Sequence, residues 1–150
     1  MPHWLMKTEP DLFSIRDLFR QKTSPWDGVR NYQARNFMDQ MRLGDTVFIY
    51  HSSCKDVGIA GIGEVVRESY PDVSQFDEKS PYFDAKSDPA KPRWRRVDIG
   101  FVEAWPAVLP LARLKSDPAL SDMALVQKGS RLSVMPVTEQ QWHYILGLKP

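Results

Sequence analysis

Apolar residues recur along the chain in two rhythms, and the change from one to the other marks its elements. Trp4-Leu5-Met6-Lys7 reads as a short strand ended by Glu9-Pro10, because the residue before a proline is pushed out of the helical region. Ser14 and Asp17 then stand at capping-box spacing, and Ile15, Leu18 and Phe19 fall at i, i+3 and i+4, which predicts an amphipathic helix. A loop over residues 22–30 carries Pro25-Trp26-Asp27-Gly28. The clearest helix follows, with Asn31 as N-cap, Ala34, Phe37, Met38 and Met41 as its buried stripe, and Gly44 expected as its C-terminal cap.

From Asp45 the pattern becomes that of strands. Thr46-Val47-Phe48-Ile49-Tyr50 is β-branched and aromatic, and Ile59-Ala60-Gly61-Ile62-Gly63-Glu64-Val65-Val66 contains two glycines of the kind that mark bulges or tight bends. Residues 70–91 are polar and proline-rich, a long excursion with at most one turn of helix. Beyond it Arg95, Val97, Ile99 and Phe101 alternate with Arg96, Asp98, Gly100 and Val102, which predicts a half-buried strand. Short helical segments over 111–114 and 118–125 precede Gly129 and a last strand over 131–136. Thr138 and Gln141 form a capping box for a final helix through Leu146, stopped by Gly147. This order predicts one α+β domain over 1–150, a small curved sheet or twisted barrel with helices packed around it rather than a doubly wound fold.

Composition narrows the function classes. With 20 Lys+Arg against 19 Asp+Glu, the formal net charge is +1, so any grip on nucleic acid must come from local clusters and not from bulk charge. The longest apolar runs fall far short of the roughly 20 residues of a membrane helix. The N-terminal residues lack the basic and apolar segments of a secretory signal, and the single cysteine, Cys54, cannot pair within the chain. A cytoplasmic protein without membrane contact is expected.

No phosphate loop, dinucleotide fingerprint or paired-cysteine zinc motif is present. The histidines at 3, 51 and 143 are widely spaced in the sequence, so neither metal nor cofactor is expected. His51-Ser52-Ser53-Cys54 is the nearest approach to a nucleophile set, but adjacent strand residues point to opposite faces, and Cys54 reads as a small loop residue. Three segments carry binding chemistry. In Trp26–Asn36, Asn31 and Arg35 share one face at a helix N-terminus rich in N–H donors, and Trp26 offers a flat wall; the same residues also suit a cap, an ion pair and a core position. Lys91-Pro92-Arg93-Trp94-Arg95-Arg96 sets four cations around one ring, suited to phosphates and stacking or simply to a solvated face. In the third segment, Arg131 and Ser133 share one side of the last strand, which either lines a pocket or faces solvent.

Taken in order, Trp4-Leu5-Met6-Lys7-Thr8-Glu9-Pro10, the stretch from Trp26 to Asn36, Gly44-Asp45, Tyr50-His51-Ser52, Gly58-Ile59-Ala60-Gly61, Tyr70-Pro71-Asp72, Pro92-Arg93-Trp94 and Gly129-Ser130-Arg131-Leu132-Ser133-Val134 resemble the EVE domain family, one of the PUA-like folds. That resemblance implies a twisted β-barrel with surrounding helices and a pocket for a flipped, often modified, nucleobase in DNA or RNA. It makes Trp4 and Trp26 candidate walls, and Asn31, Arg35, His51, Ser52, Ser133 and the Val29 backbone candidate contacts to the base. Lys7 and Arg131 then stand at the pocket mouth, and Arg93, Trp94 and Arg95 on a phosphate-contacting surface. Met135 departs from the pattern, where a glutamine is expected before the proline. The expected function is non-catalytic reading of a modified base. The alternatives are a hydrolase or nuclease, with His51, Asp27 or Glu64 as general base, and a module for a small ligand or peptide.

Overall fold

The structure, a computed structural model, describes residues 2–150. In chain order the elements are β1 (His3–Thr8), α1 (Ile15–Gln21), β2 (Thr23–Pro25), α2 (Tyr32–Gln40), β3 (Thr46–His51), β4 (Gly58–Pro71), β5 (Arg95–Pro110), α3 (Leu111–Lys115), β6 (Val134–Val137) and α4 (Glu139–Leu146). Short 3₁₀ turns occupy Val73–Phe76, Pro118–Leu120 and Ala124–Val126. The strands form one open mixed sheet in the order β2-β5-β4-β3-β1-β6. Among the described residues, only the β1–β3 pair is parallel. No helix among the described residues is long and apolar enough to cross a membrane.

The central strands read as continuous apolar runs because both faces of the sheet are covered. On one face Trp4, Met6, Val47 and Ile49 meet Ile15 and Leu18 of α1 and Ala34 and Met38 of α2. On the other Leu5, Phe48 and Tyr50 meet Leu114 of α3, the 3₁₀ residues Leu120 and Leu125, and Trp142 and Ile145 of α4. Phe48 stacks on Trp142 with centroids 3.8 Å apart. Met135 is fully buried within this second cluster.

The α+β expectation is met by this open mixed sheet with helices packed on it, which does not close into a barrel among the described residues, and there are further local departures. Ser14 and Asp17 make the capping box, but Phe19 is 54% exposed and packs edge-on against Phe101 rather than entering the core. The region expected as a loop before Asn31 contains β2, an edge strand whose Pro25 is tolerated because it needs to donate no outer hydrogen bond. Helix α2 ends with Met41 as C-cap, and Gly44, at φ 86°, instead makes the turn into β3, its N–H donating to the Val65 carbonyl. Strands β4 and β5 outrun their apolar patterns, because pairing with register shifts carries them through exposed positions such as Val66, Arg67 and Ala104. β6 begins at Val134, three residues later than its pattern suggests.

At Gly61, β4 is closely apposed to both β5 and α1. A Cβ there would stand 2.3 Å from the Glu103 carbonyl oxygen and 2.9 Å from Ile15 Cγ1. Gly61→Ala is expected to destabilise the chain by about 1–3 kcal/mol, the usual cost of overpacking. Urea unfolding measures it, and an unchanged midpoint would show that the three elements are not so closely apposed.

Candidate functional site

Because β1 and β3 run parallel, their C-terminal ends emerge on the same edge of the sheet, and the Ser52 N–H donates to the Thr8 carbonyl at 2.9 Å. A cavity of about 700 Å³ opens there. Its floor is Lys7, Thr8, Ser52 and Ser53, and the loop into α1 adds Glu9, Leu12 and Phe13. The Thr8 hydroxyl holds that loop by donating to the Phe13 carbonyl at 2.7 Å. Ser24 to Arg30 forms one wall, Arg131 and Ser133 another, and Tyr82 reaches in from the long excursion. Trp26 is largely buried in the core and packs edge-on against Phe13, and only the remaining edge of its surface lines the cavity.

One buried carboxylate organises the Trp26–Arg30 wall. Asp72 accepts from the Gly28 N–H at 2.9 Å, from Arg30 Nη1 at 3.1 Å and from the Ser74 N–H and hydroxyl. Burial drives its carboxyl upward, but the hydrogen bonds from Ser74, Gly28 and Arg30 outweigh that and hold it below its ordinary value. Arg30 also donates to the Tyr82 carbonyl from Nε and Nη2, so wall and excursion are tied together. Gly28 has φ 78°, and a Cβ there would lie 2.6 Å from Tyr82 Cζ, so this approach requires glycine. The excursion itself folds around buried Gln75, which donates to the carbonyls of Asp72 and Trp94 and accepts from the Trp94 N–H and the Ser87 hydroxyl.

The cavity holds both signs of charge. Lys7 and Arg131 form no ion pair among the described residues, and desolvation lowers the Lys7 ammonium from its ordinary value. Asp27 is pushed upward by partial burial and by the nearby charge of Asp72, and Arg96 opposes this from 3.7 Å.

Of the residues singled out in the sequence, Lys7, Trp26, Val29, Ser52, Arg131 and Ser133 are thus brought together. Four others are placed elsewhere. Trp4 is a core residue whose Nε1 donates to Asp45 at 3.0 Å, and Asn31 caps α2 by accepting from the Ala34 N–H. Arg35 donates to the Arg93 carbonyl at 2.8 Å, beside a second, shallower groove formed with Lys86, Asp88, Lys91, Pro92 and Arg93. His51 Nε2 accepts from the Ile15 N–H at 3.1 Å, satisfying a helix-terminal donor that otherwise has no partner. Glu64 lies on β4, outside the cavity.

The basic 91–96 cluster is less exposed than its sequence suggests. The Trp94 ring is already stacked on Tyr32 at 4.9 Å, donates to Asp84 and does not line the cavity, so it offers no platform to a base there. Asp84 lies 3.8 Å from Arg93, and Asp39 lies 3.4 Å from Arg95, which also donates to Ser69. Tyr82, Phe13, Leu12 and Asp72 were not singled out as site residues. Tyr70-Pro71-Asp72 is one of the family-like motifs, and it was the available pointer to the excursion as a wall.

Comparison with known proteins places this geometry. The family model for the EVE domain matches residues 2–148. Human thymocyte nuclear protein 1 is 43% identical over 166 residues, an alignment covering 98% of this chain and 73% of that protein. A solved Pseudomonas syringae structure is 56% identical with a TM-score of 0.96, covering 97% of this chain and 98% of that one. The crystal structure of the human THYN1 protein in complex with 5-methylcytosine-containing DNA is 42% identical with a TM-score of 0.94, covering 99% and 97%.

Two groups give the wall and the helix a pH dependence. The imidazole of His51 is lowered from 6.5 by burial, with Asp17 opposing, and Asp72 is lowered from 3.8. Both bind protons more tightly in the unfolded chain, so each contributes stability above its unfolded value that is lost as pH falls through the folded one. Acid titration of stability is expected to show one loss starting below 6.5 and a second below 3.8. Asp72→Ala reduces the second, to which the lowered carboxyls of Asp17, Asp84 and Asp117 also contribute, and costs about 3 kcal/mol by leaving Arg30 without its buried partner. A variant as stable as the parent would show that Asp72 does not organise the wall.

Proposed function

Since the chain belongs to the EVE domain family, we propose that it is a non-catalytic reader of a modified base, taking an extruded nucleotide into the cavity at the ends of β1 and β3. The observation that carries this reading is the composition of that cavity: aromatic walls, rigid backbone and unpaired cations converge on one space. The similar human THYN1 protein was crystallised with 5-methylcytosine-containing DNA, so modified cytosine in DNA is the ligand proposed first.

An extruded base needs flat walls, a fixed edge reader and cations for its phosphates. Trp26 and Tyr82 supply rings, and the Val29 backbone with Ser52 and Ser133 supplies polar contacts. Glu9 and Asp27 add carboxylate acceptors of the kind that suit the exocyclic amine of cytosine. Lys7 and Arg131 meet the flanking phosphates. Of the three general bases considered from sequence, only Asp27 lines the cavity, and His51 is occupied by the α1 backbone. This supports binding without turnover.

The test is binding of DNA duplexes with and without 5-methylcytosine at two salt concentrations, with the DNA analysed afterwards for cleavage or base loss. Preference for the modified duplex, unaltered DNA and affinity falling with salt are expected. Stacking on one ring is worth about 1–3 kcal/mol, so Trp26→Ala should weaken binding about 5- to 150-fold. Because Trp26 also packs against Phe13, the variant's fold is checked by circular dichroism, and Lys7→Met serves as a second variant, expected to reduce the salt slope by about 1. Equal affinity for modified and unmodified DNA, or for parent and both variants, would contradict the reading.

A further inference from the structure

At the other end of β1, side chains from opposite ends of the chain meet. His3 stacks on Trp142 of α4 with centroids 4.5 Å apart and planes within 9°, and its side chain is only 11% exposed. Its Nδ1 is hydrogen-bonded to Thr46 Oγ1, whereas its Nε2 is buried without any partner among the described residues. Glu139 and His143 stand one turn apart on α4 beside it. Glu139 Oε1 lies 4.0 Å from His3 Nε2 and 3.3 Å from His143 Nε2, and the three donor atoms all lie within 4.8 Å of one another. The wide sequence spacing of the histidines therefore hides a pair that the fold brings together.

We propose that His3, Glu139 and His143 form a binding site for a divalent transition-metal ion of the zinc class, with water completing its coordination. A buried ring nitrogen left without a partner is costly, and an ion would satisfy it. With Nδ1–H donated to the Thr46 hydroxyl, Nε2 presents a lone pair, and such an outer hydrogen bond is what orients a metal-binding imidazole. Burial lowers the basicity of His3, which favours the neutral ring that a ligand requires. Donors held at 2.0–2.1 Å around a tetrahedral ion stand roughly 3.3 Å apart. The Glu139–His143 pair already has that spacing, and both side chains are about two-thirds exposed, so they can close on His3 without disturbing the core. Two imidazoles and one carboxylate suit zinc, copper or nickel better than calcium or magnesium, which prefer all-oxygen shells.

The site is separate from the cavity, since about 13 Å of strand lies between His3 and Lys7. An ion here fastens the start of β1 to α4, and so steadies the strand that carries Lys7 and Thr8 to the cavity.

The experiment uses chelator-treated protein without an affinity tag. Calorimetric titration with zinc is expected to give one ion per chain, and cobalt is expected to give the visible absorption of a tetrahedral complex. Zinc should raise the melting temperature of the parent and leave that of His143→Asn and Glu139→Gln unmoved, with at least tenfold weaker binding in each variant. Both substitutions fall on the solvent side of α4, so the fold is retained. The absence of binding up to about 100 μM zinc, an affinity weaker than about −5.5 kcal/mol, would overturn the proposal. Binding unchanged by both substitutions would overturn it equally.

Discussion

The parallel pairing of β1 with β3 is the constraint on which the other features depend. It places two central strands side by side with side chains buried on both faces, Trp4 and Met6 towards α1 and α2, Leu5 and Phe48 towards α3 and α4. The strand ends at Thr8 and His51 emerge together, and the cavity opens beside them. The loops that follow are held by specific hydrogen bonds. Thr8 holds the Phe13 carbonyl, and His51 holds the first N–H of α1.

The remaining walls rest on polar groups buried where apolar packing cannot serve. Asp72 ties the Gly28–Arg30 wall to Ser74 of the excursion, and Gln75 satisfies four backbone and side-chain partners inside the 70–91 excursion. A polar, proline-rich segment thereby becomes an ordered wall that presents Tyr82 against Gly28. Within the basic 91–96 segment, Asp84 and Asp39 stand beside Arg93 and Arg95, whereas Lys7 and Arg131 have no ion-pair partner among the described residues. Lys7 and Arg131 thus add positive charge to a cavity that also holds Glu9 and Asp27.

Elements whose side chains follow a simple period were legible in the sequence. The capping boxes at Ser14 and Thr138, the Ala34–Met38 stripe and the apolar runs of β1 and β3 all appear as read, because local chemistry and tertiary burial agree there. Pairing partners decide the lengths of β4 and β5, and the three residues of β2 exist because β5 offers an edge, so no local pattern reports them. The site was half legible. Lys7, Trp26, Val29, Ser52, Arg131 and Ser133 converge, but Arg35 and Asn31 sit on a helix face that turns from the cavity, a matter of how α2 is oriented. Tyr82 and Asp72 gave no periodic signal because long-range hydrogen bonds position them, and the pairing of His3 with His143 is likewise a product of topology.

The central claim is that nucleic acid enters the β1–β3 cavity rather than lying along the Arg35–Arg93 groove. Amide and indole chemical shifts of the isotope-labelled protein, followed during titration with 5-methylcytosine-containing DNA, distinguish the two directly. The account predicts the largest shifts at Lys7, Trp26, Gly28, Val29 and Ser133, with Trp4 and Arg35 little changed. Shifts concentrated at Arg35, Lys91 and Arg93, with the cavity residues unmoved, would contradict it.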